Sequence, residues 1–198
     1  MVSGFVTAGG RSSRMGRDKA WLELDGQTMI ERVITAIKPV TTDVSVIANS
    51  AEYNRLGLPV YADTHTGIGP LEAIRTALAN ASTSRVLLVG CDLPFVTAEL
   101  FSFLLSLKGD YQAIVPVGAD DRLEPICAIY STDALSEVTR LIESGARKVS
   151  LLFERIRTRL VIFDEIRHLQ GADLFFENVN TQEEYSRALE VLHKLRSQ

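Results

Sequence analysis

Apolar positions along the first 117 residues alternate between two rhythms. Val2, Phe5 and Val6 lie in a short run that ends at Gly9-Gly10, a strand running into a loop. Met29, Ile30, Val33, Ile34 and Ile37 recur at helical spacing and predict a helix over 28–40. Strands are expected at 44–48 and, after the break at Gly57-Leu58-Pro59, at 60–62. Pro70 suits a first helical turn, and Leu71, Ile74, Ala77 and Leu78 continue that helix. The unbroken run Val86 to Val89 predicts a strand buried on both faces. Thr97 caps a helix carrying Leu100, Phe101, Leu104 and Leu105, and 113–117 is a further strand.

The second part of the chain is less regular. A strand is expected at 126–130, helices at 133–144 and 148–154, and a strand at 159–163. A final helix starts near Thr181, with Glu184 placed to complete a capping box and a stripe of Tyr185, Ala188, Leu189, Leu192 and Leu195. Strands alternating with helices imply right-handed crossovers and an α/β fold of three layers, its central sheet mixed but mainly parallel. Ligands in such a sheet bind beyond the carboxyl ends of the strands. Four loops qualify: 9–19, 49–50, 63–70 and 90–96.

The length of 198 residues suits one domain with a self-sufficient core, read as a nucleotide-binding half (1–96) and an acceptor-binding half (97–198). A net charge of −4 argues against a general nucleic-acid binder, though not against a small polyanion held in a local basic pocket. Two cysteines, Cys91 and Cys127, are too few for a disulfide scaffold and sit in apolar runs, as buried small hydrophobes do. No apolar run is long enough to span a bilayer, and no leader precedes the first strand, so a cytoplasmic setting without membrane attachment is expected.

Against this acidic background, residues 9–19 gather four cations, three glycines and two serines into eleven positions. Glycines bring backbone N–H groups close to a ligand, and Arg and Lys add charge and forked donors, so the loop reads as a phosphate site. It is not a P-loop, because Arg17-Asp18 follows Gly16, and it is not G-x-G-x-x-G either.

Thr7-Ala8-Gly9-Gly10-Arg11-Ser12-Ser13-Arg14-Met15-Gly16-Arg17-Asp18-Lys19 resembles the L-A-G-G-x-S-x-R-M-G-x-D-K signature of molybdenum cofactor guanylyltransferases, the MobA family. Gly69-Pro70-Leu71, Cys91-Asp92-Leu93-Pro94-Phe95, Glu124-Pro125-Ile126-Cys127-Ala128 and Asn178-Val179-Asn180-Thr181 resemble further motifs of that family, in the same order. Thr7 replaces the usual leucine, and Gln182 the proline usual after N-x-N-T.

The resemblance implies a Rossmann-like nucleotidyltransferase fold and an Mg²⁺-dependent reaction. GMP would pass from GTP to the terminal phosphate of molybdenum-molybdopterin, with a molybdoenzyme or insertion chaperone receiving the product. Lys19 is the first choice for the phosphate contact. Arg14 is a second, unless it pairs with Asp18 or Glu23. Asp92 suits an Mg²⁺ ligand, or else caps a turn. Thr7, Ala8, Gly9, Gly10, Ser12, Asn49, Asp63, Gly69, Pro70 and Leu71 complete the implied GTP site, although Asn49 equally suits an Asx-turn. Gly9-Gly10 favours GTP over CTP, because the cytidylyl relatives tend to carry alanine there.

On the acceptor side the candidates are Arg147, Lys148, Asn178 and Asn180, with Asn180 also a metal-shell candidate. Glu124, Asp120 and Asp121 read as solvated loop residues, and His65, His168 and His193 lack metal-ligand spacing. The alternatives are a cytidylyltransferase or sugar-phosphate nucleotidyltransferase of the same fold, or a non-catalytic nucleotide-binding protein.

Overall fold

The computed structural model describes residues 1–9, 18–65 and 67–196. Among these, seven strands form one twisted sheet. β1 (Ser3–Thr7) lies near its middle. The hairpin β2 (Glu23–Leu24) and β3 (Gln27–Thr28) stands apart from the sheet. β4 (Asp43–Ile47), β5 (Val60–Tyr61), β6 (Arg85–Gly90), β7 (Ala113–Pro116), β8 (Cys127–Ser131) and β9 (Thr158–Val161) complete the sheet in the order β5-β4-β1-β6-β8-β7-β9. Every pair is parallel except the two that β8 makes, with β6 and with β7. The expected mixed, mainly parallel α/β sheet is therefore present. The reversal follows from the connection: residues 117–126 carry no helix, and a parallel return needs a crossover of a dozen or more residues.

Helices cover both faces. Val6, Leu87 and Val89 pack towards α1 (Met29–Ile37) and α3 (Ala98–Ser106). Phe5, Val86 and Leu88 pack towards α2 (Pro70–Ala79), α4 (Leu135–Glu143) and α5 (Ser150–Phe153). Alternate residues of β1 and β6 thus enter opposite cores, as the continuous apolar run of β6 predicted. Cys91 and Cys127 are both buried free thiols.

Helix ends follow local chemistry. A Thr28–Glu31 capping box starts α1, which stops at Ile37 because Pro39 turns the chain into a 3₁₀ segment, three residues short of the expected end. Phe163, expected in a strand, instead opens the short α6 (Phe163–Ile166). The last helix, α7 (Gln182–Arg196), forms the expected box: Thr181 N donates to Glu184 Oε2 at 3.0 Å, and Glu184 N to Thr181 Oγ1 at 3.2 Å. Its stripe divides. Tyr185, Ala188 and Leu192 pack with Leu24 and Phe95, whereas Leu189 and Leu195 are exposed. No helix among the described residues is long and apolar enough to cross a membrane.

Strand register sets the stage for the site. Thr7 lies opposite Ile47 on one side and Gly90 on the other, and Ile47 lies opposite Tyr61. Four parallel strands therefore end level, and their following loops rise from one edge.

Candidate active site

Two clefts open along this edge. The larger, about 1020 Å³, is lined by Thr7, Ala8 and Gly9 from the first loop, Asn49 and Tyr53 after β4, Asp63 and His65 after β5, and Gly69 and Pro70 at the start of α2. The smaller, about 330 Å³, is lined by Asp92, Arg122, Glu124, Pro125 and Asn178. Thr7 and Ile126 line both, so the clefts share a wall.

Lys19 links them. It follows Asp18, which lines the larger cleft, and its ammonium donates to Asp92 Oδ2 at 2.8 Å in the smaller. It also donates to Asn180 Oδ1 at 2.5 Å. Each partner is held from behind. Val179 N donates to the Asp92 carbonyl at 2.9 Å, tying the turn after β6 to the segment before α7. Asn180 N donates to Glu184 Oε2 at 2.6 Å, so the helix box also fixes Asn180. The Asp92 carboxylate folds back over Gly90, where an alanine Cβ would overlap Oδ1.

Asp18 anchors the return of the first loop. Its Oδ2 accepts from the buried Tyr53 hydroxyl at 2.6 Å, and its Oδ1 accepts from Ala20 N at 3.1 Å. Burial, with the Asp18 carboxylate, pushes the Tyr53 phenol well above its usual range, so the hydroxyl stays a donor. Tyr53 stacks on Trp21 with centroids 5.1 Å apart, and the Arg55 guanidinium lies 3.3 Å over the Trp21 ring.

The far wall of the larger cleft rests on Glu72, a buried carboxylate of α2. It accepts from Thr64 N at 3.0 Å and His65 N at 3.1 Å, and pairs with Arg75 at 2.5 Å. Burial alone would raise its carboxyl, but these partners outweigh it and hold Glu72 below the usual carboxylate range. Asp63 accepts from the Thr76 hydroxyl at 2.9 Å, and its backbone N–H donates to Asn49 Oδ1 at 3.0 Å. Burial lifts the Asp63 carboxyl above its usual value. Asn49 thus makes the turn contact and lines the cleft together, leaving its amide NH₂ as a donor group.

Of the candidates read from the sequence, Thr7, Ala8, Gly9, Asn49, Asp63, Gly69 and Pro70 line the larger cleft, and Asp92 and Asn178 the smaller. Asp92 and Asn180 meet at the Lys19 ammonium. The Leu71 side chain belongs to the core beneath α2 and not to the cleft lining, because the first inward position of the helix falls there. Arg147 and Lys148 are exposed between α4 and α5, and neither side chain lines the two clefts. Gly10, Ser12 and Arg14 lie outside the described residues.

The sequence reading missed Tyr53, which lines the larger cleft and holds Asp18, and two further features. One is the Glu72–Arg75 support, for which an i,i+3 acid–base pair on a helix gave only a weak signal. The other is Glu124, expected in solvent but found buried in the wall of the smaller cleft.

Comparison with known proteins bears on the family and the fold. The MobA-like NTP transferase domain model matches residues 4–158. A probable molybdenum cofactor guanylyltransferase of Carboxydothermus hydrogenoformans is 33% identical over 186 residues, covering 94% of both chains. One from Pelotomaculum thermopropionicum is 35% identical over 189 residues, covering 94% of this chain and 91% of that one. The crystal structure of molybdopterin-guanine dinucleotide biosynthesis protein A from Archaeoglobus fulgidus matches with a TM-score of 0.83 at 26% identity, covering 97% of this chain and 99% of that one.

Fold and site together define an α/β nucleotidyltransferase. The chain belongs to the MobA-like NTP transferase family, and the resemblance carried by its motifs extends through the structure.

Proposed function

We propose that the protein transfers GMP from GTP to the terminal phosphate of molybdenum-molybdopterin, releasing pyrophosphate and forming the guanine dinucleotide, in the cytoplasm. The observation that carries this reading is the junction: two clefts share Thr7 and Ile126, and Asp92 of the smaller one holds Lys19, the residue next to Asp18 of the larger. A transferase needs one cleft for the donor and one for the acceptor, with charge control between. The guanylyltransferase activity named for the relatives supports this choice of substrates.

In the reaction an oxygen of the acceptor phosphate attacks the α-phosphorus of GTP. The bond from the α-phosphorus to the bridging oxygen of the β-phosphate breaks, and that oxygen leaves with pyrophosphate. A phosphate monoester has a second pKa of about 6, so the nucleophile is already largely a dianion at neutral pH. The site therefore requires no general base, only orientation and charge stabilisation. Lys19 would leave its contacts with Asp92 and Asn180 for phosphate oxygens. Asp63 suits the N1–H and amino donors of guanine, and the Asn49 amide suits its carbonyl. Gly9, at φ 85°, lines the larger cleft, and among the described residues no atom lies within 4 Å of an added Cβ there.

The donor set also fits Mg²⁺. Asp92 Oδ2 and Asn180 Oδ1 converge on one ammonium, 2.8 Å and 2.5 Å away, so two hard oxygens already share a cation. Mg²⁺ typically takes one or two carboxylates plus phosphate oxygens and water, so Asp92 with Asn180 suffices as the protein's share. When bound, Mg²⁺ supplies charge neutralisation on the phosphates.

The test is direct. The purified protein is incubated with molybdenum-loaded molybdopterin, Mg²⁺ and each of GTP, CTP, ATP and UTP in turn. Guanine dinucleotide and pyrophosphate should form in equal amounts with GTP and at least 10-fold more slowly with CTP. Preferential formation of the cytosine dinucleotide, or transfer only to sugar phosphates, would overturn the reading.

A further inference from the structure

Resting on the reading that the smaller cleft takes the acceptor, we propose that Glu124 is its specificity-determining residue, accepting the paired N–H donors of a 2-amino-4-oxo-pyrimidine edge on the acceptor's heterocycle. Three observations carry this.

The first is cost without structural need. The Glu124 side chain is only 9% exposed, yet it carries a carboxylate into the wall of a cleft. Its main chain is already secured: Glu124 N donates to the Pro116 carbonyl at 2.9 Å, and its own carbonyl accepts from Cys127 N at 3.1 Å. The turn would form equally well with glutamine, which fills the same space and avoids burying an anion.

The second is capacity. Arg122 Nε donates to Glu124 Oε1 at 3.0 Å, which uses one of the roughly four acceptor positions of a carboxylate. The guanidinium is half-exposed and also reaches the Phe176 carbonyl at 3.5 Å, beside the segment that carries Asn178. Arg122 therefore orients the carboxylate and offsets its charge without enclosing it.

The third is sign. Asp92, Glu124 and Arg122 line the same small cleft, two carboxylates to one guanidinium that Glu124 already engages, so a phosphate has little reason to settle beside Glu124. A donor-rich, uncharged edge fits there, and adjacent N–H and NH₂ groups match the two oxygens of a carboxylate. Asp63 would meet that same type of edge on guanine in the larger cleft, so each cleft offers one carboxylate to one aminopyrimidinone.

Glu124→Gln keeps the shape and removes the charge that strengthens both hydrogen bonds. Steady-state kinetics should show KM for molybdopterin rising about 10-fold to 100-fold, the range for lost charge-assisted hydrogen bonds, with the affinity for GTP unchanged. An unchanged acceptor KM would overturn the proposal. So would equal weakening towards both substrates, which would mean that Glu124 acts through Asp92.

A second measurement does not depend on GTP being the donor. Binding of pterin-6-carboxylate to the nucleotide-free protein is followed by quenching of its own fluorescence and compared with its 2-oxo counterpart, in which a carbonyl replaces the amino donor. The wild type should prefer the amino compound, and Glu124→Gln should lose that preference. No saturable binding to the wild type, or a preference that survives the substitution, would contradict the assignment.

Discussion

The substitution Gly90→Ala isolates the geometry of the junction without touching a charged group. Gly90 ends β6 with its backbone outside the left-handed region, so alanine is conformationally allowed there. The added methyl would overlap Asp92 Oδ1 and would stand 3.3 Å from Ile126 Cγ2. Restoring van der Waals separation requires the carboxylate to retreat by about 1 Å. That retreat stretches the 2.8 Å contact with Lys19 beyond hydrogen-bond range. Because Asp92 is a quarter exposed, its rotation relieves the clash into the cleft, and stability should change by less than about 1 kcal/mol.

Activity should suffer far more, since a misplacement of about 1 Å at a reacting site costs on the order of 10²-fold. The assay is GMP transfer by Gly90→Ala, Asp92→Asn and the double variant. If Gly90 acts only through Asp92, the double variant is no slower than Asp92→Asn alone. Full activity in a folded Gly90→Ala protein, or independent losses that multiply in the double variant, would refute the reasoning.

Further outcomes follow from the same geometry. Lys19→Ala should weaken GTP binding by about 1.5–3 kcal/mol in calorimetric titration, the scale of a hydrogen bond to a charged group, while leaving the melting curve cooperative. GTP at 100 times its Kd should stabilise the protein by about 2.7 kcal/mol and raise Tm by roughly 5–11 °C, with CTP at the same concentration giving a smaller shift. Glu72→Gln should cost about 1–3 kcal/mol at pH 7, because it removes the negative charge that pairs with Arg75 and strengthens the hydrogen bonds from the Thr64 and His65 amides. The folded-state proton affinity of Glu72 is depressed, so its stabilisation is full above the unfolded value of about 4.3 and fades as pH falls through the folded value. The gap in Tm between wild type and variant should therefore narrow below about pH 4, and a gap constant with pH would contradict that origin.

Much of this site was legible because it sits at strand ends. Gly9, Asn49, Asp63 and Asp92 each follow an apolar run, and parallel strands with level ends bring such positions together. Asn180 was legible through its motif, and the capping box that fixes it through the Thr181–Glu184 spacing. The β2–β3 hairpin was overlooked although Asp25-Gly26 announces it: both residues have positive φ, as a tight two-residue turn demands. Its strands are two residues each, too short for alternation to register.

What remained hidden depends on contacts distant in sequence. Glu124 lines its cleft with Asp92 and Asn178, which arrive from segments far away in the chain, so its local neighbours, Asp120 and Asp121, misleadingly suggested a solvated loop. Leu71 shows the reverse. Its motif placed it with the nucleotide, but the same helix start must also supply an inward apolar residue, and Leu71 occupies that position. Nor does a row of residues reveal that Glu72 props the loop at Thr64 and His65, since the link is between side chain and backbone across a turn.

The central claim is that the Lys19–Asp92 junction controls charge during transfer between the two clefts. The measurement that tests it most directly is the single-turnover rate of GMP transfer by Asp92→Asn across an Mg²⁺ titration. Asparagine keeps the size and reach of Asp92 but removes its negative charge. A folded protein with a rate lower by about 10²-fold or more, and a raised Mg²⁺ requirement, is the predicted result. Wild-type rate at the wild-type Mg²⁺ requirement would contradict the account and leave Asp92 as a turn residue.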